Sequence, residues 1–346
     1  MPATTARRPP RSSRLPAIAA VADDVTRRGF LGLLAAAGLL AACGDDNDDA
    51  GGTATTVGDF PRTVGRGFAA ATIPARPTRV VATADRDQLD VLLAMGLQPV
   101  LYGFSGDYDP TAPWLDAQVV AEIDQAGMTD AFTPNLERIA AARPDLIIDA
   151  WADEATHASL AQIAPTIQVK LDNTDTWQAA QRLAGAATGQ EAAAETAIAR
   201  TEEVLADQRA RLTDLGELSV AVAFQDGGEL VVIPGAEIGA RTLTELGVTV
   251  HPTPDGASGR FSLEEMEALL GGADVIVSFD YGGLDAQESN PLFRALPAVA
   301  AGRYVALDIE VATACYQEST LSVRWAAAAV ADALLAAAAG DGRTLG

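Results

Sequence analysis

The chain has 346 residues, of which 24 are basic and 47 are acidic, so its formal net charge at pH 7 is −23. This charge argues against a nucleic acid partner, because phosphate binding requires clusters of basic side chains. The only two histidines, His157 and His251, do not have the spacing of zinc ligands.

Residues 1–42 have the features of a twin-arginine lipoprotein signal peptide. Arg27-Arg28 precede an apolar run at 30–42 that ends at Cys43, and this run is shorter than the roughly 20 residues needed to span a bilayer. Small residues before Cys43 suit signal peptidase cleavage and lipid attachment to that cysteine. The alternative is a buried helix followed by an unrelated cysteine. Cys315 would remain as a single buried thiol.

The rest of the chain is expected to form a tether and two lobes. Residues 43–67 are rich in Asp, Gly and Thr, which predicts a flexible tether. The remaining chain exceeds the usual size of one hydrophobic core. We therefore assign an N-terminal α/β lobe to 68–172, an interlobe helical segment to 173–215 and a C-terminal α/β lobe to 216–340.

Strands and helices alternate through the first lobe. A strand at 78–83 is followed by a helix at 85–95 with apolar residues at helical spacing, and Gly96 is its predicted C-cap. Because strands keep alternating with helices, the sheet is predicted to be mostly parallel. The other elements are strands at 98–102, 146–150 and 166–170 and a helix that begins at Asn135.

Two helices are predicted at 175–188 and 190–212, separated by Gly189, because these segments are rich in Ala, Glu and Arg and contain no proline. The second would be about 35 Å long and could connect two lobes, although an ordinary packing helix fits the composition equally well. In the second lobe, strands are predicted at 218–224, 229–233, 248–251, 274–279 and 303–307, with helices at 237–246 and from Ser262 and Ser319. The predicted fold is therefore α/β, with two Rossmann-like lobes joined by a long helix and a ligand cleft between them.

One short pattern occurs in both lobes. Asn135-Leu136-Glu137 opens a helix that leads into Asp145-Leu146-Ile147-Ile148, and Ser262-Leu263-Glu264 opens one that leads into Asp274-Val275-Ile276-Val277. We interpret these segments as two copies of one structural unit.

Several recognisable segments follow one another behind the lipoprotein signal. They are Ile73-Pro74-Ala75-Arg76-Pro77-Thr78-Arg79-Val80-Val81, Leu92-Leu93-Ala94-Met95-Gly96-Leu97-Gln98-Pro99-Val100, the segments at 135–139 and 143–148, Leu296-Pro297-Ala298-Val299 and Gly302-Arg303. In this order they resemble the iron-siderophore-binding lipoproteins of ABC importers, and the resemblance extends from about Ile73 to Leu335. That group of two-lobed proteins with a helical interlobe linker also includes cobalamin and haem binders.

The resemblance implies that Glu137 and Glu264, one on each lobe, dock onto arginine pockets of a permease dimer. The residues themselves allow another interpretation. Asn135 and Ser262 are favourable N-caps, and a glutamate in the first turn stabilises a helix by about 0.3–1 kcal/mol. Ser262 with Glu265 also fits a capping box.

Ligand contacts are expected beyond the carboxyl ends of the strands, where open α/β sheets bind their ligands. Aromatic faces and an arginine suit a bulky chelate whose metal-binding oxygens carry negative charge. For each aromatic the alternative is ordinary packing, and for Arg86 it is a salt bridge to Asp85 or Asp87. The candidates are Asp85, Arg86, Phe104, Trp151, Phe224, Gln225, Tyr281 and Tyr316, with Trp114 as a further aromatic.

The expected function is that of an extracytoplasmic, lipid-anchored protein that binds a ferric siderophore and delivers it to a permease with its ATPase. A hydroxamate-type chelate is favoured, because Arg86 is the main basic residue at the expected contact positions. The alternatives are cobalamin, haem, another metal chelate, a directly bound divalent metal, or a ligand sensor with this fold. Catalysis is not expected, since no Gly-x-Ser-x-Gly, P-loop or dinucleotide-binding motif is present. We expect no cofactor other than the ferric chelate as cargo, and a monomer.

Overall fold

The computed structural model describes residues 59–83, 86–103, 112–125, 128–130, 133–150, 152–215, 218–254, 256, 258–280, 284–343 and 345, with only the backbone for Arg86 and Asp130. All of them belong to one compact unit, which runs from Ala54 to Gly346. The predicted signal peptide, Cys43 and most of the predicted tether lie outside the described residues.

The first lobe contains a four-stranded parallel sheet in the order β4-β3-β7-β8, together with two antiparallel pairs, β1-β2 and β5-β6. Its strands are β1 (Arg62–Val64), β2 (Ala71–Ile73), β3 (Val80–Ala82), β4 (Leu101–Tyr102), β5 (Met128–Asp130), β6 (Thr133–Pro134), β7 (Leu146–Asp149) and β8 (Thr166–Gln168). Its helices are α1 (Arg86–Leu93), α2 (Ala117–Ala121), α3 (Leu136–Ala141) and α4 (Glu154–Ala161).

The predicted strands of the first lobe are confirmed as β3, β4, β7 and β8, each somewhat shorter than expected. Side chains from both faces of this sheet are buried: Ile148 and Val80 pack in one core cluster, while Ile147 and Val81 pack in another. Because both faces of this sheet are covered, successive residues of its strands are buried and the strands appear in the sequence as continuous apolar runs. Gly96 has a φ of +75°, as expected for the residue that ends the segment after α1.

One part of the predicted tether is ordered. Arg62–Val64 form β1, which pairs with β2 in antiparallel register. The guanidinium of Arg62 donates a 2.7 Å hydrogen bond to the carbonyl of Ala186 and forms an ion pair with Glu191. The prediction of a flexible tether was wrong for these residues, because Arg62 contacts residues more than 100 positions away. Local composition carries no information about such contacts.

The two helices between the lobes are α5 (Trp177–Thr188) and α6 (Glu191–Leu212), and Gly189 separates them in a left-handed conformation. The 22 residues of α6 extend about 33 Å at 1.5 Å per residue. Ala194, near its start, belongs to the core of the first lobe, whereas Leu205 and Leu212 belong to the core of the second. The helix therefore joins the two lobes, as the sequence predicted.

The second lobe contains a six-stranded sheet in the order β12-β10-β9-β13-β14, with β11 also paired to β9. β9 is parallel to β11 and β13, whereas β10 and β12 form an antiparallel edge. The strands are β9 (Ser219–Asp226), β10 (Glu229–Ile233), β11 (Thr249–Val250), β12 (Gly259–Phe261), β13 (Val275–Phe279) and β14 (Tyr304–Leu307). The helices are α7 (Arg241–Glu245), α8 (Met266–Leu270), α9 (Asp285–Glu288), α10 (Pro291–Arg294), α11 (Pro297–Ala300), α12 (Ile309–Tyr316) and α13 (Thr320–Ala338).

The repeated unit predicted from sequence is present in both lobes. In the first, the carboxylate of Asp145 accepts a 2.8 Å hydrogen bond from the backbone N–H of Arg79, immediately before β3. In the second, the carboxylate of Asp274 accepts one of 3.0 Å from the N–H of Ser219, the first residue of β9. An aspartate that precedes a central strand thus ties it to its parallel neighbour in each lobe.

Of the described helices, α13 has the length and apolar composition that would let a helix cross a membrane. Its inward residues, including Val323, Val330 and Leu334, are buried in the core of the second lobe. The apolar character of α13 is therefore explained by packing inside the protein.

Candidate ligand site

The carboxyl ends of the first-lobe strands carry polar residues. Thr83 follows β3, Asp149 ends β7 and Lys170 lies two residues after β8. The predicted contacts Asp85, Phe104 and Trp151 at this edge lie outside the described residues. Arg86 is the first residue of α1, but its side chain is not described.

Of these polar groups, Asp149 has the fewest partners that could stabilise its charge. Its side chain is 1% exposed, and Oδ1 accepts a 2.6 Å hydrogen bond from the hydroxyl of Thr83. Oδ2 has no hydrogen-bond partner. Burial raises the pKa of this carboxyl to about 6, with the charge of Asp87 adding to the effect and hydrogen bonds from Thr83 and the Ala150 backbone opposing it.

Lys170 connects the first lobe to the second. Its Nζ lies 2.9 Å from Oδ2 of Asp87 and donates a 2.7 Å hydrogen bond to the backbone carbonyl of Glu318. The side chains of Lys170 and Asp87 are almost completely buried. Neither Lys170 nor Asp87 was a predicted site residue, although a single lysine two residues after an apolar strand was a usable signal.

Glu318 is held in turn by Arg241 of the second lobe. Nη1 of Arg241 lies 2.5 Å from Oε2 of Glu318, and the guanidinium also donates to the backbone carbonyls of Asn173 and Asp175. Burial raises the pKa of Glu318 to about 7, while the charges of Arg241 and Lys170 oppose this shift. We call Asp87, Lys170, Arg241 and Glu318 the interlobe cluster.

Two hydrogen bonds to Asp90 flank the interlobe cluster. The hydroxyl of Ser319, the N-cap of α13, donates to Oδ2 of Asp90 at 2.5 Å, and the indole N–H of Trp114 donates to the same oxygen at 2.8 Å. The rings of Trp114 and Trp325 are in contact, with centroids 5.6 Å apart. Since Asp90 lies on α1 of the first lobe and Ser319 caps α13 of the second, these bonds also connect the two lobes.

The second lobe contributes aromatic rings at its strand ends. Phe224 of β9 lies beside Phe279, the last residue of β13, with ring centroids 6.3 Å apart. Gly239 has a φ of +92°, and a Cβ atom at this position would lie 3.2 Å from both Phe279 and Tyr316. Phe279 and Tyr316 therefore pack around this glycine, and Phe224 packs against Phe279. We call these three residues the aromatic wall; Phe279 is buried in it, whereas Phe224 and Tyr316 are half-buried. Phe279 was not predicted as a contact, and Tyr281 lies outside the described residues.

Gln225 is positioned by a buried polar chain. Its backbone N–H donates a 2.8 Å hydrogen bond to Oε1 of Gln287. The amide of Gln287, which is completely buried, donates in turn to the hydroxyl of Ser278 at 2.7 Å. Gln287 therefore fixes the end of β9 next to the aromatic wall.

The two predicted docking glutamates are exposed at the beginnings of their helices. Asn135 caps α3 by accepting from the N–H of Arg138. In the second lobe, Ser262 and Glu265 form the predicted capping box at the 3-10 turn that precedes α8. Since Glu265 fills the capping role, the Glu264 side chain is not required for it.

A separate groove of about 760 Å³ lies at the amino-terminal end of β8, between α4 and β2, and is lined by Phe68, His157 and Thr166 among others. It lies at the opposite end of β8 from Lys170 and was not predicted. Across the described part of the chain, no cluster of three or more His, Cys, Asp or Glu side chains could hold a metal ion.

Comparison with known proteins identifies the relatives of this chain. It is 27% identical over 260 residues to YhfQ of Bacillus subtilis, described as an ABC transporter substrate-binding lipoprotein, covering 68% of this chain and 77% of YhfQ. It is 26% identical over 239 residues to the Fe(3+)-citrate-binding protein YfmC of the same organism, covering 67% and 73%.

Among solved structures, the chain is similar to PiaA of Streptococcus pneumoniae in complex with ferrichrome. The TM-score is 0.68 and the sequence identity 21%, and the match covers 80% of this chain and 99% of PiaA. At this identity the likeness shows a common fold. The sequence profile of the family described as Periplasmic binding protein matches residues 81–311. This chain therefore belongs to the periplasmic binding protein family.

Proposed function

We propose that this protein is the extracytoplasmic substrate-binding component of an ABC importer and that it binds a ferric siderophore of the hydroxamate type. The observation that carries the proposal is the aromatic wall at the strand ends of the second lobe, in a fold shared with a protein solved in complex with ferrichrome. Rings at such an edge suit a bulky, partly apolar chelate.

The first lobe supplies the polar side of the site. Arg86 begins α1, so its backbone lies beside the end of β3. Its guanidinium suits the iron-bound oxygens of a chelate, which carry negative charge. Asp85, Phe104, Trp151 and Tyr281 remain predicted contacts. The protein would bind its cargo without transforming it, as a monomer and without a resident cofactor.

Delivery would use the exposed glutamates. Glu137 and Glu264 open corresponding helices of the repeated unit, one in each lobe, which suits a symmetric docking surface on a permease dimer. Charge pairs on such a surface chiefly determine encounter rate and orientation. Lipid on Cys43, after twin-arginine export, would keep the protein close to the permease and its ATPase.

The proposal can be tested by ligand titration of the purified protein, monitored by tryptophan fluorescence. Trp114 and Trp325 lie next to the hydrogen bonds that connect the two lobes, so their fluorescence emission is a suitable reporter of ligand binding. We expect saturable binding of ferrichrome and ferrioxamine, with weaker or no binding of a ferric catecholate, haem and cobalamin. Tight binding of ferric citrate alone would assign the cargo suggested by the relative YfmC, and no binding of any ferric chelate would refute the proposal.

A further inference from the structure

The buried charges between the lobes do not balance. Lys170 is paired with Asp87, and its second contact is the carbonyl of Glu318. Arg241 is paired with Glu318, and its other contacts are backbone carbonyls. Each of these two buried cations therefore already has a carboxylate partner.

Asp149 is left over by this pairing. It is buried to the same extent as Lys170. One of its oxygens accepts a hydrogen bond from the hydroxyl of Thr83, and the other has no hydrogen-bond partner. Among the residues with described side chains, no basic group forms an ion pair with it. A buried carboxylate in this state is unfavourable unless it takes up a proton or meets a cation.

The position of Asp149 indicates where a cation would come from. It is the last residue of β7, a central strand of the first-lobe sheet, and Thr83 at the end of neighbouring β3 holds one of its oxygens. Ligands of open α/β sheets lie beyond this edge. The unpartnered oxygen therefore belongs to a residue at the ligand-binding edge of the lobe.

We infer that the site selects ferric chelates that carry a positively charged arm, such as an ammonium group, with Asp149 as the counter-ion. This inference rests on the proposed function and specifies its substrate class. Arg86 would contact the iron-bound oxygens, while the arm would be attracted to the buried carboxylate. The two roles are separable, because they act on different parts of the chelate.

The test compares two ligands that differ by one charge. Ferrioxamine B ends in an ammonium group, and its N-acetyl derivative has the same iron-hydroxamate core without that charge. We expect the wild-type protein at pH 7.5 to bind the cationic form about tenfold more tightly, which corresponds to about 1.4 kcal/mol of attraction between the two charges. Equal affinities would overturn the inference without any variant having to fold.

The variant Asp149→Asn provides the second experiment. An asparagine side chain has the shape of the aspartate and can still accept a hydrogen bond from Thr83. The variant should bind both forms with similar affinity. Asp332→Asn is the matched control, since it removes an exposed carboxylate of α13 that is ion-paired with Arg211, and it should retain the preference. A preference that persists in Asp149→Asn would refute the role of this residue.

Lowering the pH provides a third experiment, because protonation of Asp149 removes its negative charge. The preference for the cationic form should fall to about twofold at pH 5, where most Asp149 side chains are protonated. A preference of full size there would contradict the inference. Asp87, Lys170, Glu318 and Arg241 also face this region, so the pH series is repeated with Asp149→Asn, in which no change in preference should occur.

Binding of ferrichrome without discrimination between the two ferrioxamines refutes only this inference, whereas no binding of any ferric hydroxamate refutes the proposed function as well.

Discussion

Lys170, the only lysine of the chain, donates a hydrogen bond of 2.7 Å to the backbone carbonyl of Glu318. The two residues are 148 positions apart, one at the end of the first-lobe sheet and the other directly before α13. With the ion pair to Asp87, this bond buries a first-lobe side chain against the second lobe. The joint between the lobes is therefore a buried, specific contact.

Removing Lys170 should destabilise the protein strongly. Lys170→Met leaves Asp87 buried without its cation, which costs about 3–5 kcal/mol of unfolding free energy. The double variant Asp87→Asn, Lys170→Met should recover much of this loss, because no charge is left unpaired. Urea unfolding of the three proteins measures both effects, and a loss below about 1 kcal/mol in the single variant would show that the pair is not buried in solution.

The lobes should move little on ligand binding. The continuous helix α6 enters both cores, and the interlobe cluster has no exposed member, so a large rotation would break buried ion pairs. Small-angle scattering with and without ferric chelate should give nearly the same radius of gyration. A large compaction would contradict this architecture.

Asp149 should reduce stability at neutral pH. Its pKa is raised from 3.8 to about 6 in the folded protein, so between these values the unfolded chain loses its proton first and stability falls as the pH rises. Above pH 6 the cost reaches up to about 3 kcal/mol. Asp149→Asn should therefore be more stable than the wild type at pH 7.5 and similar to it at pH 3.5. Denaturant unfolding at both pH values tests this, and a destabilised variant at pH 7.5 would contradict it.

Gly239 should be required for the aromatic wall. In Gly239→Ala the new methyl group would press on Phe279 and Tyr316, and the backbone would be strained at a φ of +92°. If the wall is a central ligand contact, as proposed, ligand affinity should fall by about tenfold or more. Gly227→Ala is the control, since Gly227 also has positive φ but no atom lies within 4 Å of its added Cβ. If both variants bind normally, the ligand does not contact the wall.

The docking glutamates should affect uptake and not ligand binding. Glu137→Ala with Glu264→Ala should impair growth on the chelate as sole iron source, while titration of the purified variant gives the wild-type affinity. Glu265→Ala is a close control, because it removes the capping box at a cost of about 1 kcal/mol but leaves Glu264 in place. Normal growth of the double variant would refute the docking role.

Local signals in the sequence predicted most of the fold. Apolar runs of four to six residues became strands because both faces of each sheet are covered, and Asn135, Ser262 and Gly189 marked helix ends through hydrogen bonds or backbone conformations that involve only neighbouring residues. The short antiparallel pairs were missed, since β1 and β2 contain only three residues each and depend on contacts with distant helices.

The sequence by itself determined the α/β class, the two repeated lobes and the long helix between them, because periodicity and capping act over a few residues. Tertiary structure alone decided the pairing of Asp87 with Lys170 and of Arg241 with Glu318. It also decided that Asp149 has no cationic partner among the described side chains. In a chain with 47 acidic residues, composition does not identify the buried ones. Burial depends on how strands and helices from distant parts of the chain meet, and that arrangement determines which charges are compensated.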